Sequence, residues 1–379
     1  MSLTSDPFLT LVLLVTLAAL VATVLLWPRW AGPGARALVT RTLLVLGVNA
    51  LVLLTAATQL NAQFLFYAGW ADLGGAFGDA ATSAALQRGG SASAATTLTP
   101  SGPAATVPTG PLPALPPGGD VLSFRVSGAL SGVTGTVVVH LPPGYRERAQ
   151  AAVRYPVLET FHGYPGTPMQ WLGPMDLAGA VGSAAAARTI RPLLIVSPQL
   201  EVPPGVDTEC VDGVNGAPRI ETWVTRDVPD WVARTFRVAP QRASWATIGL
   251  SAGGWCAAMA TMLHPAQYAA AIVMGGYFRP DFSPTYLPYP ASSPLTARYD
   301  LIRLSRRAPP PVALWVETSH TDAVSYGSSA ALLRGVRAPM AVDATVLQHA
   351  GHRVSLWQGL LPTSLQWLGA HVPGFAPLR

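Results

Sequence analysis

Hydrophobic residues are concentrated at the start of the 379-residue chain. Two long uncharged runs stand there, Phe8 to Trp27 and Thr42 to Leu60. As helices rising about 1.5 Å per residue, both runs are long enough to cross a hydrocarbon core of about 30 Å. They predict two transmembrane helices. A cleaved signal peptide is the alternative for the first run, but no basic region precedes it and it exceeds the roughly 7–15 apolar residues of a signal-peptide core.

Arginine residues predict the orientation of these helices. Three of them lie in the connection at residues 28–41, whereas the seven residues before the first run carry a single acid. Because positively charged loops stay on the cytoplasmic side, the connection is predicted to be cytoplasmic and everything after Leu60 to be extracytoplasmic. The aromatic segment 61–76 is predicted to be an interfacial anchor, with a third span as the open alternative. Residues 1–79 thus form the predicted anchor of a multi-pass cell-membrane protein.

A segment of Ala, Ser, Thr, Pro and Gly, with almost no bulky apolar side chains, occupies residues 80–119. Such a composition buries too little apolar surface to offset the entropy of ordering, so it predicts a flexible linker. The globular domain is expected at 120–379, a length that supports one full hydrophobic core.

Within this domain, short apolar runs bounded by Pro and Gly alternate with longer amphipathic stretches rich in Ala. The alternation predicts an α/β fold, with a mostly parallel sheet covered by helices on both faces. Predicted strands lie at 135–143, 155–163, 192–199, 245–251, 270–276, 312–318 and 343–348. Predicted helices lie at 169–187, 221–236, 253–263, 328–336 and 355–361.

Composition narrows the functional classes. Half of the residues are hydrophobic and 11% are charged, which is too little charge for an ordinary soluble protein and agrees with a membrane portion. The net charge of +5 is scattered singly along the chain, so nucleic-acid binding is not expected. Two cysteines without CxxC or Cys/His spacing predict no zinc site, and no metal or organic cofactor is implied.

One motif carries chemistry. The sequence GLSAG at 249–253 matches G-x-S-x-G, and it follows a predicted strand and precedes a predicted helix. In that context the central residue occupies a sharp turn with small neighbours on both sides, at the amino end of a helix that stabilises negative charge. Ser251 is therefore the predicted nucleophile.

A serine nucleophile needs a base, and in this kind of fold the base follows it in the chain. His352 is the predicted base because it stands after a glycine, at the tip of the loop that follows the strand Ala344 to Leu347. His349 in the same loop is the alternative. His264 is interpreted as a cap of the helix that carries the nucleophile, and His371 lies near the chain end.

The third catalytic group is an acid, expected near the end of the predicted strand 312–318 or in the loop after it. Asp322 lies in the loop after that strand and is the predicted partner of the base, whereas Glu317 ends the strand itself and remains the alternative. The oxyanion hole needs two backbone N–H groups. We expect them from Ala252, directly after the nucleophile, and from Tyr164 in the glycine-containing loop that begins at His162.

Three segments resemble a known family: FHGYPGTPMQWL (161–172), GLSAGGWCAAMA (249–260) and AGHRVSLWQGLLPTSLQWL (350–368). They are similar to the putative esterase family of α/β-hydrolases, which includes esterase D, S-formylglutathione hydrolase, feruloyl esterases and mycolyltransferases. The resemblance implies an α/β-hydrolase fold and ester hydrolysis or acyl transfer through an acyl-serine on Ser251. His352 then acts first as base and later as acid. Glu317 and Asp322 both remain open, because the acid varies among members.

Cys210 and Cys256 follow neighbouring predicted strands of this fold. In an oxidising extracytoplasmic setting a disulfide between them is expected. The alternative is that Cys256 is a small buried thiol.

Three functions compete. The first is a membrane-anchored extracytoplasmic esterase acting on an ester or acyl-lipid substrate. The second is an acyltransferase that moves the acyl group to an envelope sugar or lipid hydroxyl, and the third is a scaffold without chemistry. Tyr277 to Pro311, rich in Pro and aromatic residues, is predicted to overlie the site.

Overall fold

A computed structural model describes residues 5–64, 70, 112–283 and 286–377. The predicted interfacial segment is described only at 61–64 and 70, which are helical, and the predicted linker only from 112 onward. The rest of both segments lies outside the described residues.

Two long helices open the described chain, α1 (Asp6–Leu26) and α2 (Ala35–Phe64). Both are long and apolar enough to cross a membrane, a test that a signal sequence near an amino terminus also passes. A short 3₁₀ turn, Trp27–Trp30, follows α1. The hydroxyls of Thr16 and Thr55 join the two helices at 2.7 Å. α2 begins at Ala35, before the uncharged run Thr42 to Leu60. Two of the three arginines that were predicted to lie in the connection, Arg36 and Arg41, are therefore on the first turns of α2.

An eight-stranded sheet forms the centre of the globular part. Its spatial order is β1-β2-β4-β3-β5-β6-β7-β8, with β2 antiparallel to both neighbours and the other pairs parallel. The strands are β1 Val121–Ser127, β2 Thr134–His140, β3 Val157–Phe161, β4 Leu194–Pro198, β5 Trp245–Leu250, β6 Ala270–Met274, β7 Ala313–Ser319 and β8 Ala341–Leu347.

All seven predicted strands are present, and β1 is an addition. It lies at the sheet edge and alternates exposed and buried residues, so it lacks the continuous apolar run of the inner strands. β3 to β6, by contrast, are buried at every position. The mostly parallel α/β sheet predicted from the sequence is confirmed.

Helices cover the sheet, and several boundaries differ from the prediction. The helix predicted from 169 begins only at Leu177, because Asp176 caps it after Pro174. The helix from Ile220 includes a π-helical turn, Trp223–Asp227, and the last helix runs on through Pro362. The helices are α3 Leu177–Ala186, α4 Ile220–Thr222, α5 Val228–Thr235, α6 Ala252–Leu263, α7 Pro294–Arg298, α8 Leu301–Arg307, α9 Tyr326–Leu333 and α10 Val354–His371.

A hydrophobic core lies on each face of the sheet. Trp223, Trp255 and Tyr268 are buried in one core, and Trp171 and Trp357 in the other. Because helices cover both faces of the sheet, ligands can reach it only near the ends of the strands. In such sheets they bind beyond the carboxyl ends of the strands. The loops that follow β3, β5, β7 and β8 begin at that edge.

Candidate active site

The predicted nucleophile stands at the turn between β5 and α6. Ser251 has φ 55° and ψ −125°, a left-handed backbone that a residue with a side chain rarely adopts. Its N–H donates to the carbonyl of Met274 at 2.9 Å, and its own carbonyl accepts from Gly254 at 2.8 Å. This is the strained strand-to-helix turn that the G-x-S-x-G pattern requires, and strain of this kind is concentrated at functional sites.

The outer glycines of the motif are required by close backbone approach. A Cβ on Gly249 would lie 1.8 Å from the carbonyl oxygen of Gly253, and one on Gly253 would lie 2.1 Å from the carbonyl oxygen of Phe161. Both distances are far below van der Waals contact. The turn therefore packs against its own helix and against the end of β3.

The loop after β3 is anchored by a buried histidine. His162 donates from Nδ1 to the carbonyl of Gly163 at 2.8 Å, and its Nε2 accepts from the N–H of Leu200 at 3.2 Å. Burial lowers the pKa of His162, which keeps the ring neutral in this arrangement. These two hydrogen bonds give His162 a structural role, because they tie its loop to the residue that follows β4 by two positions.

The same loop contacts the nucleophile turn. A Cβ on Gly163 would lie 3.5 Å from the Cβ of Ser251. Among the described residues, nothing accepts a hydrogen bond from the backbone N–H of Tyr164 or of Ala252, the two predicted oxyanion-hole donors. Two unused donors beside a serine are the pattern expected of groups that await a substrate oxygen.

Two polar side chains that the sequence did not single out hold this loop. Gln170 accepts from the N–H of Gly163 at 2.9 Å, and Glu201 accepts from those of Gly166 at 2.6 Å and Gly205 at 3.0 Å. The available signal was the position of Glu201 just after the apolar run of β4. Apart from that position, the amino-acid sequence gives no sign of the contacts made by Gln170 and Glu201.

Asp322 is buried in the turn after β7, with 3% of its surface exposed. Its Oδ1 accepts from the N–H groups of Val324 at 2.9 Å and Ser325 at 3.3 Å, and its Oδ2 accepts from the hydroxyl of Ser325 at 2.6 Å. These donors stabilise an ionised carboxylate at the amino end of α9.

Glu317, the alternative acid, is buried at the end of β7. Its Oε2 accepts from the N–H of Gly275 and from Nε1 of Trp357, each at 3.0 Å. Burial, helped by the neighbouring charge of Asp322, raises the pKa of Glu317 to about 8. Near neutral pH this carboxyl is therefore largely protonated, whereas a triad acid must carry a charge.

The predicted base lies in the six-residue connection between β8 and α10. His352 is buried there, whereas His349 is exposed. His264 is the C-cap residue of α6, with its backbone N–H donating to the carbonyl of Ala260 at 3.0 Å, while its side-chain Nε2 bonds the Glu221 carboxylate at 2.6 Å. His371 donates to the carbonyl of Trp367 within α10. The contacts among Ser251, Asp322 and His352 stay a prediction.

The expected disulfide between Cys210 and Cys256 is present, and both residues are buried. It joins the loop after β4 to the helix that begins at the nucleophile turn. Nε1 of Trp255 donates to the carbonyl of Glu209 at 2.7 Å and reinforces the same junction. Within the described part of the chain, no group of three or more metal-binding side chains is found.

Comparison with known proteins gives the family. The family described as "Putative esterase" matches residues 128–367, which is more than half of the chain. An uncharacterized protein of Corynebacterium glutamicum is 27% identical over 141 residues, a match that covers 37% of this chain and 32% of that protein. The match thus spans about a third of that relative's length.

Solved structures are similar in fold. A ferulic acid esterase has a TM-score of 0.56 at 19% identity, covering 66% of this chain and 97% of its own. An S-formylglutathione hydrolase of Agrobacterium tumefaciens gives 0.54 at 15% identity, covering 66% and 95%. The fluorophosphonate-binding serine hydrolase F of Staphylococcus aureus gives 0.53 at 15%, covering 66% and 98%. With the family match over residues 128–367, the chain belongs to the putative esterase family of α/β-hydrolases and is a serine hydrolase.

Proposed function

We propose that the chain is a membrane-anchored extracytoplasmic esterase whose catalytic residues are Ser251, Asp322 and His352. The observation that carries the proposal is the strained Ser251 turn beside two unused backbone donors, the N–H groups of Tyr164 and Ala252. A carbonyl oxygen that becomes negative during nucleophilic attack needs donors of this kind, held in place before the reaction.

In the proposed reaction His352 removes the proton from the hydroxyl of Ser251 as the oxygen attacks the ester carbonyl. The tetrahedral oxygen is held by the Tyr164 and Ala252 N–H groups, and Asp322 stabilises the imidazolium that forms. His352 then gives the proton to the leaving alcohol, which leaves an acyl-serine. Water then attacks the acyl-serine while His352 takes a proton from it as base. His352 gives this proton to the departing oxygen of Ser251, which releases the carboxylic acid and restores the free serine.

Asp322 is preferred to Glu317 for an electrostatic reason. The Asp322 carboxylate accepts three hydrogen bonds that favour its charged form, whereas burial and the Asp322 charge raise the pKa of Glu317 to about 8. With Glu317 protonated, this pair of neighbouring carboxyls carries one negative charge, on Asp322, that can interact with His352.

Three observations support anchoring and an extracytoplasmic domain. Helices α1 and α2 have the length and composition of membrane spans, and arginines lie between them or on the first turns of α2. The chain contains the Cys210–Cys256 disulfide, and disulfides form and persist in oxidising compartments outside the cytoplasm. In this proposal residues 1–79 anchor the protein, 80–119 form a linker and 120–379 form the catalytic domain.

The anchoring is tested by fusing alkaline phosphatase, which is active only outside the cytoplasm, to the carboxyl terminus of the full chain. High phosphatase activity in the membrane fraction is expected. A cytoplasmic reporter such as green fluorescent protein at the same position should then stay dark. Fluorescence with an inactive phosphatase would contradict the extracytoplasmic placement while leaving the esterase proposal intact.

A further inference from the structure

Exposed apolar side chains of the globular part are concentrated at one edge of the sheet. Among the described residues 112–283 and 286–377, six large apolar side chains are exposed. Five lie in segments that follow the carboxyl ends of β1, β3, β4 and β6, the edge at which Ser251 stands: Leu130, Tyr164, Met169, Val214 and Leu287. The sixth, Val121, begins β1 at the opposite edge. Single exposed apolar residues are common on protein surfaces, but their concentration on one edge indicates a contact surface.

Four of these residues form what we call the apolar rim: Tyr164 and Met169 after β3, Val214 after β4, and Leu287 after β6. Hydrogen bonds join the loops that carry them. The hydroxyl of Tyr164 donates to the carbonyl of Gly205, in the loop after β4, at 3.0 Å. The N–H of Val214, in that same loop, donates to the carbonyl of Pro288, next to Leu287, at 2.9 Å. Because Tyr164 is also a proposed oxyanion donor, the rim extends to the reaction site itself.

Aromatic packing holds the segment that carries Leu287. The buried ring of Tyr289 contacts Phe282 edge to face, with centroids 5.2 Å apart, and stacks on Tyr299 at 5.8 Å. Two residues before this buried ring, Leu287 is 70% exposed. An apolar side chain that a packed segment holds in water gains free energy when an apolar phase covers it.

A bilayer is the apolar phase that this chain brings with it. Helices α1 and α2 have the length and composition of membrane spans. The proposed linker, residues 80–119, spans roughly 35 Å as a flexible chain and about 130 Å when fully extended. In the proposed architecture the domain can therefore turn its active-site edge to the bilayer. A soluble partner or a second copy would have to be brought to the rim, whereas the lipid surface is always within reach.

The charges beside the rim indicate the kind of lipid surface. Arg219 and Arg279, in the segments after β4 and β6, are each paired with an aspartate, at 3.6 and 3.0 Å. Glu201, Asp207 and Asp281 of the same segments form no ion pair with a described residue. Because like charges repel, this edge is disfavoured on an anionic surface. It fits a lipid surface without net negative charge, held by apolar contact.

We propose that the apolar rim docks on an uncharged or zwitterionic lipid surface and that the natural substrate is an acyl ester of a membrane lipid. This inference rests on the proposed esterase function and on the proposed anchoring. Hydrolysis adds one water across the ester, releases a fatty acid and leaves the lipid alcohol in the bilayer. Met169, Val214 and Leu287 take no part in bond making or breaking.

The test presents esters in two forms to the full chain reconstituted in phosphatidylcholine vesicles. Diacylglycerol and phosphatidylcholine with a fluorescent acyl chain are the lipid esters, and 4-nitrophenyl acetate is the soluble ester. The double variant Val214→Gln and Leu287→Gln should lose about tenfold or more of lipid-ester turnover, because each side chain contributes roughly tenfold when it leaves water. Its soluble-ester turnover should stay within about threefold, as expected for surface substitutions. Val121→Gln, at the opposite edge, is the control and should keep both rates.

Docking is measured without turnover by a label on the rim. The two native cysteines form a disulfide, so Leu287→Cys and Val121→Cys each supply a single reactive thiol at a chosen edge. Spin-labelled phosphatidylcholine should quench a nitrobenzoxadiazole label at Leu287→Cys but not at Val121→Cys. Equal quenching at both positions, or none, would overturn the docking proposal. A disulfide-linked dimer of Leu287→Cys would also overturn it, because the rim would then bind a second copy of the chain.

Failure of the lipid proposal and failure of the esterase proposal give different results. A wild type that cleaves the soluble ester but neither lipid ester rejects the lipid substrate and keeps the esterase. Equal losses on lipid and soluble esters in the double variant reject the role of the rim. If no ester is cleaved, the esterase proposal fails, and quenching at Leu287→Cys still decides whether the rim docks.

Discussion

His162 donates a hydrogen bond of 2.8 Å to the carbonyl oxygen of Gly163 and so fixes the peptide that joins Gly163 to Tyr164. In a trans peptide the N–H points opposite to the carbonyl, so holding the Gly163 oxygen also directs the N–H of Tyr164 away from the histidine. The orientation of a proposed oxyanion donor is thus set by a buried side chain.

This relationship predicts the effect of removing the imidazole. His162→Ala should lower kcat by about tenfold to a hundredfold with little change in KM, because an oxyanion donor acts mainly in the transition state. His162→Asn, whose amide can donate to the same carbonyl, should recover part of the rate. The exposed His349→Ala is the control and should leave kcat unchanged. If both His162 variants lost kcat to the same extent, and both were also less stable to heat, His162 would have only a structural role.

The two acids after β7 are predicted to differ sharply. Asp322→Asn should reduce kcat by about 10⁴-fold, as expected when the acid partner of a catalytic histidine loses its charge. Glu317→Gln should retain kcat at pH 7 within about tenfold, because a carboxyl with a pKa of about 8 is already largely protonated and Gln preserves its shape. Steady-state kinetics with one nitrophenyl ester measure both. A large loss of kcat in Glu317→Gln together with a small loss in Asp322→Asn would instead make Glu317 the triad acid.

Glu221 fastens the segment after β6 to the domain. Its carboxylate accepts from His264 at 2.6 Å, from Tyr299 at 2.5 Å and from Arg298. Burial alone would raise the pKa of Glu221, but these hydrogen bonds outweigh it and lower the pKa to about 2. A depressed pKa means that the folded state favours the charged form more than the unfolded state does.

Glu221→Gln should therefore reduce the free energy of unfolding at pH 7 by about 3 kcal/mol, because it breaks a buried charge network. The stabilisation by Glu221 is fully present above the unfolded pKa of about 4.5 and is lost as the pH falls towards 2. Guanidinium unfolding at pH 7, 4 and 3 should thus show the difference between variant and wild type shrinking at lower pH. A difference independent of pH would contradict the assignment.

The disulfide between Cys210 and Cys256 should contribute to the stability of the globular domain. Cys210 and Cys256 close a loop with a sequence separation of 46 residues, and a cross-link of this kind stabilises by about 2–4 kcal/mol. The double variant Cys210→Ala and Cys256→Ala should lower the midpoint of unfolding accordingly. Dithiothreitol should then destabilise the wild type but leave the variant unaffected. A wild type insensitive to the reductant after complete reduction would show that the bond adds no stability.

Apolar periodicity was sufficient to predict most of the fold. The inner strands are continuous apolar runs that can only be buried in a sheet covered on both faces, and the turn at Ser251 follows from glycines that close packing requires. β1 was missed because an edge strand alternates exposed and buried residues. The start of α3 was missed because Pro174 and Asp176 set it locally.

The candidate site was less accessible from the sequence. Ser251 was predicted from a local pattern. The disulfide between Cys210 and Cys256 was predicted correctly, but the expectation that their preceding strands are neighbours was wrong, because β3 lies between β4 and β5. The contacts of His162 with Leu200, and of Glu201 with Gly166, join segments about forty residues apart and have no local signature. The burial of Glu209, which is 2% exposed, is likewise a property of the folded chain. The roles of Asp322 and His352 stay predictions.

The most direct test of the central claim is ester turnover by the full chain in detergent, beside Ser251→Ala and His352→Ala. A fluorophosphonate probe should label the wild type, and both labelling and release of 4-nitrophenol should be lost in Ser251→Ala. His352→Ala should keep its fold and lose turnover by at least about 10³-fold. Turnover that persists in Ser251→Ala would contradict the account, as would a folded wild type that neither hydrolyses any ester nor reacts with the probe.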